Sequence, residues 1–258
     1  MTANGNGDAP NRFELRTTDG ITYAVCLPFE AEGFVAAFST RDKTEPGEPV
    51  DTTAKRFLEA IGRSDARLAT CKQVHSADVR VVRTEAEARD RSTECDALTA
   101  RAPDVLLGIK TADCVPILIA DTRTSAVTAI HAGWRGTISR IVERSFATMA
   151  GAWATRRADC IASIGPAVCG GCYEVGPEVL DRFKREFPYA QRFISNEHDD
   201  KGHVDLKTAC AIQLELCGFE PEQIFVSDLC TVCRNDLFFS YRKEGARAGR
   251  IISVVGSQ

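Results

Sequence analysis

The chain is poor in histidine, methionine and tryptophan: its 258 residues hold four, two and two of them. So few imidazoles argue against the several histidine-rich ligand sets that multicopper centres need. Positive charge is not in excess either. Lys and Arg number 32 against 36 Asp and Glu, a net charge of −4. That excludes a general basic footprint for nucleic acid or an anionic membrane. No apolar run approaches the roughly 20 residues of a membrane-crossing helix. The first residues, MTANGNGDAPNR, are polar and Gly-rich with no hydrophobic signal core. Residues 1–12 are expected to be a disordered tail, and the cytoplasm is the expected location. Without internal repeats or a linker, residues 13–258 read as one domain.

Cysteine, by contrast, is abundant, with eleven in all. An odd number in a chain of this kind fits poorly with a complete disulfide framework. Cys26, Cys160, Cys210 and Cys217 lie in apolar contexts and read as small buried hydrophobes. Two CxxC pairs stand apart, Cys169/Cys172 in CGGC and Cys230/Cys233 in CTVC. Pairs of this kind often hold a zinc on four thiolates, although the gap between them exceeds that of a compact finger. A second, structural metal is one reading; reduced thiols or a labile disulfide are the others.

Hydrophobic patterning gives short strands first and then strands alternating with helices. Strands are expected at residues 13–15, 22–27, 34–39, 68–74, 79–82, 96–99, 105–110, 161–164, 224–226 and 251–255. Helices are expected at 52–61 behind an Asp51 cap, at 138–149, at 177–187 with proline in the first turn, and at 205–217 between Asp205 and Gly218. Residues 41–50, 85–92 and 195–205 read as charged loops or connectors. This order argues for one α+β or α/β layered domain.

The richest stretch is TADCVPILIADTRTSAVTAIHAGWRGT, residues 111–137. Cys114 precedes one apolar strand-like run, and His131 closes the next. His75, in CKQVHSADV, is a third ligand of the right type. Two imidazoles and a thiolate would leave a fourth position open on zinc, the pattern of a catalytic site. Asp113 and Asp96 could orient those ligands or act as a base for water. Arg135 follows a glycine at a helix start, where cation and N–H groups favour an anion. The same atoms permit a metal-free reading, with Cys114 as a nucleophile activated by His131. They also permit ordinary packing, since a His or Cys at a strand end is usually nothing more.

Specific motifs narrow these alternatives: Gln73-Val74-His75, Asp96-Ala97-Leu98-Thr99, Thr111-Ala112-Asp113-Cys114-Val115-Pro116, His131-Ala132-Gly133-Trp134-Arg135-Gly136, Cys172-Tyr173-Glu174-Val175 and Phe238-Phe239-Ser240-Tyr241-Arg242. At these residues the sequence resembles the laccase-domain, or YfiH-type, family, known both as multicopper polyphenol oxidases and as purine nucleoside phosphorylases. The likeness runs from about residue 34 to the C-terminus. It implies a single α+β domain, an α/β/β/α layered sandwich of mixed sheets with flanking helices. It also implies a zinc held by His75, Cys114 and His131.

The activity implied is phosphate-dependent cleavage of adenosine, inosine, guanosine and methylthioadenosine to base and ribose-1-phosphate, with adenosine deamination in the same pocket. His75, Cys114, His131, Asp113 and Asp96 are then the catalytic set, with Arg135, Arg41 and Arg242 as the cations for phosphate. Copper with polyphenol oxidation is the alternative cofactor and activity. A metal-free Cys/His hydrolase is another. A non-enzymatic partner in cell-wall precursor editing or division is the alternative from outside catalysis. Both a monomer and a homodimer fit. The likeness departs after Arg41, where RDKTEPGEPVDTT is shorter than the Gly-rich loop and Ser-Leu-Asn-Leu segment of family members.

Overall fold

A computed structural model describes residues 12–41 and 50–258. All of the expected tail but Arg12, whose carbonyl accepts the Leu27 N–H at 2.9 Å, and most of the shortened loop after Arg41 lie outside the described residues. A hairpin of β1 (Phe13–Thr18) and β2 (Ile21–Cys26) turns at Asp19 and Gly20, both with positive φ. Then come α1 (Leu27–Ala31), β3 (Phe34–Ser39), α2 (Val50–Ala60), β4 (Arg67–Ala69), β5 (Val79–Val82) and α3 (Glu85–Arg89). The middle of the chain supplies β6 (Ala97–Ala100), β7 (Val105–Thr111), β8 (Val115–Asp121), β9 (Val127–Ala132), α4 (Trp134–Ile138), α5 (Ile141–Trp153) and β10 (Cys160–Ile164). The last third holds β11 (Glu174–Val175), α6 (Pro177–Glu186), β12 (Ile194–His198), β13 (Lys201–Val204), α7 (Leu206–Leu216), β14 (Ile224–Val226), α8 (Tyr241–Glu244) and β15 (Ile251–Ser257).

Two six-stranded mixed sheets result, ordered β1-β2-β3-β15-β7-β4 and β14-β10-β8-β9-β6-β5. A small sheet, β11-β13-β12, lies beside them. The two large sheets pack face to face. Phe38, Ile109 and Val255 of the first meet Leu98, Leu118 and Val127 of the second in one apolar cluster. Helix α2 covers the outer face of the first sheet, where Phe57 and Leu58 pack on Tyr23, Leu106 and Val254. Helices α5, α6 and α7 cover the outer face of the second, over Ile117, Ile119, Ile130 and Ile164. The layers are therefore α/β/β/α in a single α+β domain. Strand β8 shows why. Its side chains alternate between faces, Ile117 and Ile119 one way, Leu118 and Ala120 the other, so a strand buried on both faces must be apolar throughout.

Several elements differ from the pattern-based expectation. The strand expected over 68–74 stops at Ala69, because the N–H groups of Val74, His75 and Ser76 turn to the Asp96 carboxylate instead of to a neighbouring strand. The connector at 85–92 contains α3, nucleated by a capping box between Thr84 and Glu87. The helix expected over 138–149 is two helices, broken at Arg140 (φ 59°). The charged loop at 195–205 is a hairpin, β12 and β13, which exposes nearly all of β12's side chains. Helix α2 begins at Val50 and takes in Asp51, so the N-cap position falls before it.

Candidate metal centre

Strand register brings the ligands together. In the β8/β9 ladder Val115 pairs with Ala132, which sets Cys114 beside Gly133 and next to the end carrying His131. In the β6/β9 ladder Ala97 pairs with Ile130, which sets Asp96 beside His131. His75 arrives on the loop after β4. Its Nε2 lies 4.0 Å from the Cys114 Sγ, and its ring meets His131 edge-on at 4.8 Å between centroids. Ligand atoms of His75, Cys114 and His131 all lie within 4.8 Å of one another. His131 is buried, Cys114 half-buried and His75 exposed, so the cluster opens to solvent on the His75 side.

Asp96, fully buried, organises this centre. One oxygen lies 2.7 Å from Nδ1 of His131, and the carboxylate accepts the backbone N–H groups of Val74, His75 and Ser76 at 3.1, 3.0 and 2.7 Å. His75 itself has φ 60°. A left-handed non-glycine residue costs roughly 1–3 kcal/mol. Each hydrogen bond to a charged group returns roughly 1.5–3 kcal/mol, so three of them outweigh the strain. The Nδ1 contact turns the other ring nitrogen of His131 toward the cluster.

Asp113, also at positive φ (83°) and buried, anchors the backbone next to Cys114. Its carboxylate accepts the hydroxyls of Thr231 (2.6 Å) and Ser240 (3.1 Å) and the N–H of Arg242 (2.7 Å). Both carboxylates are thus anchored by hydrogen bonds and hold the backbone on either side of the ligands.

The electrostatics suit a cation. Burial alone would push the Cys114 thiol up, but hydrogen bonds from His131 and His75 bring it down to about 6. Burial would lower His131, yet Asp96 and the Cys114 sulfur raise it to about 9. Burial would raise Asp96, and His131 with the Ser76 N–H hold it down at about 2. Without metal the centre is a thiolate facing a proton-rich imidazole, an arrangement in which a divalent cation can replace protons. Gly133 keeps the space for it. A Cβ at that position would meet Cys114 Sγ and His75 Cδ2, both at 3.1 Å.

The three expected phosphate cations differ in their surroundings. Arg135 is exposed at the start of α4 and lies 4.4 Å over the Trp134 ring, and its guanidinium has no hydrogen-bonding or acidic partner among the described residues. Arg242 donates to the Glu174 carbonyl at 2.5 Å and stacks on Tyr173 at 4.8 Å. Arg41 is tied down: its Nη1 pairs with Glu244 at 2.6 Å and donates to the Asn235 carbonyl at 2.7 Å, and its guanidinium covers Phe239. His198 is exposed and His203 half-buried in the small sheet, apart from the centre. The four cysteines of the two CxxC pairs form a second cluster, also with sulfurs within 4.8 Å of one another.

The sequence reading missed several contributors. Gln73 clips the His75 loop to β7 through two amide hydrogen bonds with Lys110, at 2.7 and 2.8 Å. Thr231 and Ser240 anchor Asp113. Tyr173 is half-buried; burial and then the Cys114 charge push its phenol up to about 12, so it stays protonated beside the centre. Arg182 shares the Trp134 ring with Arg135 at 5.6 Å. Gln73, Thr231, Ser240 and Tyr173 all stand next to or inside recognisable motifs, which was the available signal.

The family described as multi-copper polyphenol oxidoreductase laccase matches residues 31–258. A purine nucleoside phosphorylase of Bacteroides thetaiotaomicron is 32% identical over 233 residues, covering 87% of this chain and 86% of that protein. Adenosine deaminase RL5, from an unknown prokaryotic organism, is 36% identical over 192 residues, covering 71% and 72%. The crystal structure of YlmD from Geobacillus stearothermophilus superposes with a TM-score of 0.86 at 28% identity, over 96% of this chain and 100% of that one. With a family match over nearly its whole length and relatives of this identity and coverage, the chain belongs to the multi-copper polyphenol oxidoreductase laccase family.

Proposed function

We propose that this protein cleaves purine nucleosides by phosphorolysis and deaminates adenosine at the same site, using one zinc ion held by His75, Cys114 and His131. The observation that carries the reading is the three-ligand cluster, open to solvent on the His75 side. The names of the relatives, a purine nucleoside phosphorylase and an adenosine deaminase, supply the two reactions. Zinc suits a thiolate with two imidazoles and a vacant fourth position. A multicopper centre does not fit: of four histidines only His75 and His131 meet, and Met149, the one methionine besides Met1, is buried in the helix-side core. Eleven free cysteines accord with a reducing compartment, and we place the protein in the cytoplasm. No helix among the described residues is long and apolar enough to cross a membrane.

When bound, zinc supplies Lewis-acid polarisation and acidifies a water ligand. The chain's own residues do the rest. Asp96 holds His131 in one ring orientation, and Asp113 fixes the backbone at Cys114. Arg135, with Arg182 over the same Trp134 ring, offers a guanidinium to phosphate. In phosphorolysis a phosphate oxygen bonds to C1′ of the ribose as the bond to the purine nitrogen breaks. The bonding pair leaves with the base, which takes a proton. Tyr173, protonated at neutral pH, is the phenol we assign to donate a hydrogen bond to the substrate. In deamination water adds at C6 of adenosine and ammonia leaves. The test is base release from inosine with and without phosphate, before and after a chelator. Release that ignores both phosphate and chelator would sink the reading. Activity that survives the chelator but not a thiol alkylator would favour a metal-free Cys114 nucleophile.

A further inference from the structure

The second cluster lies outside the site described above. Its cysteines come from loops that follow β10 and β14, adjacent parallel strands at the edge of the second sheet. A bridge between Ala167 and Cys230 continues that pairing past the strand ends. This is how Cys172 and Cys233, 61 residues apart in sequence, come within 3.5 Å of each other.

Dimensions point to one ion. The four sulfurs lie within 4.8 Å of one another. A zinc–thiolate bond of about 2.3 Å gives tetrahedral sulfur–sulfur edges of about 3.8 Å. An iron–sulfur cubane would spread the sulfurs wider, because each binds a different iron. Hydrogen bonding points to thiolates: Cys230 Sγ accepts the N–H groups of Cys169 (3.3 Å) and Cys233 (3.4 Å). The charge balance is a separate observation. Lys207, buried in the first turn of α7, directs its ammonium, among the described residues, only to the carbonyls of Ser227 (2.6 Å) and Leu229 (3.4 Å), in the segment leading to Cys230. Burial lowers its pKa, while the charges of Asp205, Cys230 and Cys169 pull it back up. Four thiolates around a divalent ion carry two negative charges, and a buried cation beside them offsets part of that.

We propose that Cys169, Cys172, Cys230 and Cys233 bind one structural zinc ion, which staples the loop after β10 to the loop after β14. Binding releases the thiol protons to solvent. The staple serves the first centre. Both loops grip Asp113: Val168 donates its N–H to the Asp113 carbonyl at 3.1 Å, and Thr231 donates its hydroxyl to the carboxylate. Tyr173, next to Cys172, is carried on the same loop.

The experiment counts zinc in three full-length proteins: wild type, Cys172→Ser/Cys233→Ser and His75→Ala. Cys233 is exposed and Cys172 half-buried, so the serines leave no buried hole. The expected result is two zinc ions per wild-type chain and one in each variant, with a lower Tm for the double variant. Cobalt(II), added to metal-stripped His75→Ala protein, should give the charge-transfer absorption of a four-thiolate site, and the double variant should lack it. One zinc in wild type and double variant alike would overturn the proposal. So would iron in the site, or a Cys172–Cys233 disulfide in the purified protein, seen as a mass lower by two hydrogens. One zinc in wild type and none in the double variant would uphold this site and remove the first.

Discussion

The two ligand clusters differ in number and kind of ligand. His75, Cys114 and His131 offer three ligands, exposed on one side, with each flanking loop braced by a buried carboxylate. The CxxC pairs offer four, of one chemical type, with backbone N–H groups folded onto a sulfur. Three braced ligands with a vacancy suit an ion that must meet substrate; four suit an ion that only holds loops together. The difference teaches that ligand number and bracing, more than ligand identity, set apart the centre proposed to react from the one proposed to staple.

The comparison can be broken at the reactive centre most severely by Cys114→Ala. Losing a Lewis acid worth several kcal/mol should cost roughly 10³-fold or more in phosphate-dependent base release from inosine. The same variant should keep its second zinc, so metal analysis checks that only the three-ligand site is lost. Gly133→Ala is expected to come next, with roughly 10²-fold less activity, because its methyl enters the space between Cys114 and His75. Tm should change little, since no apolar packing is removed, and a Tm fall without metal loss would contradict the cradle.

Asp96→Asn sharpens the role of bracing. The amide keeps the shape but loses the charge that holds His131 and three N–H groups, so zinc affinity should fall about 10–100-fold in chelator competition. Unchanged affinity would mean the bracing is incidental.

The smallest effect is expected outside both clusters. Burial tends to raise the Glu244 carboxyl, but hydrogen bonds from Arg41 and Asn235 win and lower it. A carboxylate depressed in the folded state stabilises above its unfolded value, about 4.3, and that contribution is lost as pH falls through the lower folded value. Arg41→Met should therefore cost about 1 kcal/mol or less near pH 7, with the gap in Tm closing below about pH 4. A gap independent of pH would show that Arg41 acts through packing on Phe239 instead.

Much of the reactive centre was legible because its residue types are rare in combination. A cysteine and a histidine at the ends of two apolar runs mark themselves, and His75 lies in a motif. Their partners were less legible. Nothing local to Asp113 shows that Thr231, Ser240 and Arg242 will meet it, since the contacts span more than a hundred residues. The β12/β13 hairpin was missed for another reason: β12 is exposed along nearly its whole length, and β13 is only four residues long, too short for its alternation to stand out. The break at Arg140 has no proline or glycine to announce it.

By itself the sequence determined the apolar strands, the cap at Asp205, the ligand types and the CxxC spacing. These follow from local propensity and side-chain chemistry, which a short window contains. Tertiary structure alone decided that strand register would put Asp96 beside His131, that Asp113 would brace Cys114, that Arg41 would close on Glu244 and Arg135 stay uncommitted, and that parallel pairing of β10 with β14 would bring four sulfurs within reach of one ion. The physical reason is that these depend on distances between segments far apart in the chain, which only the packing of two sheets fixes.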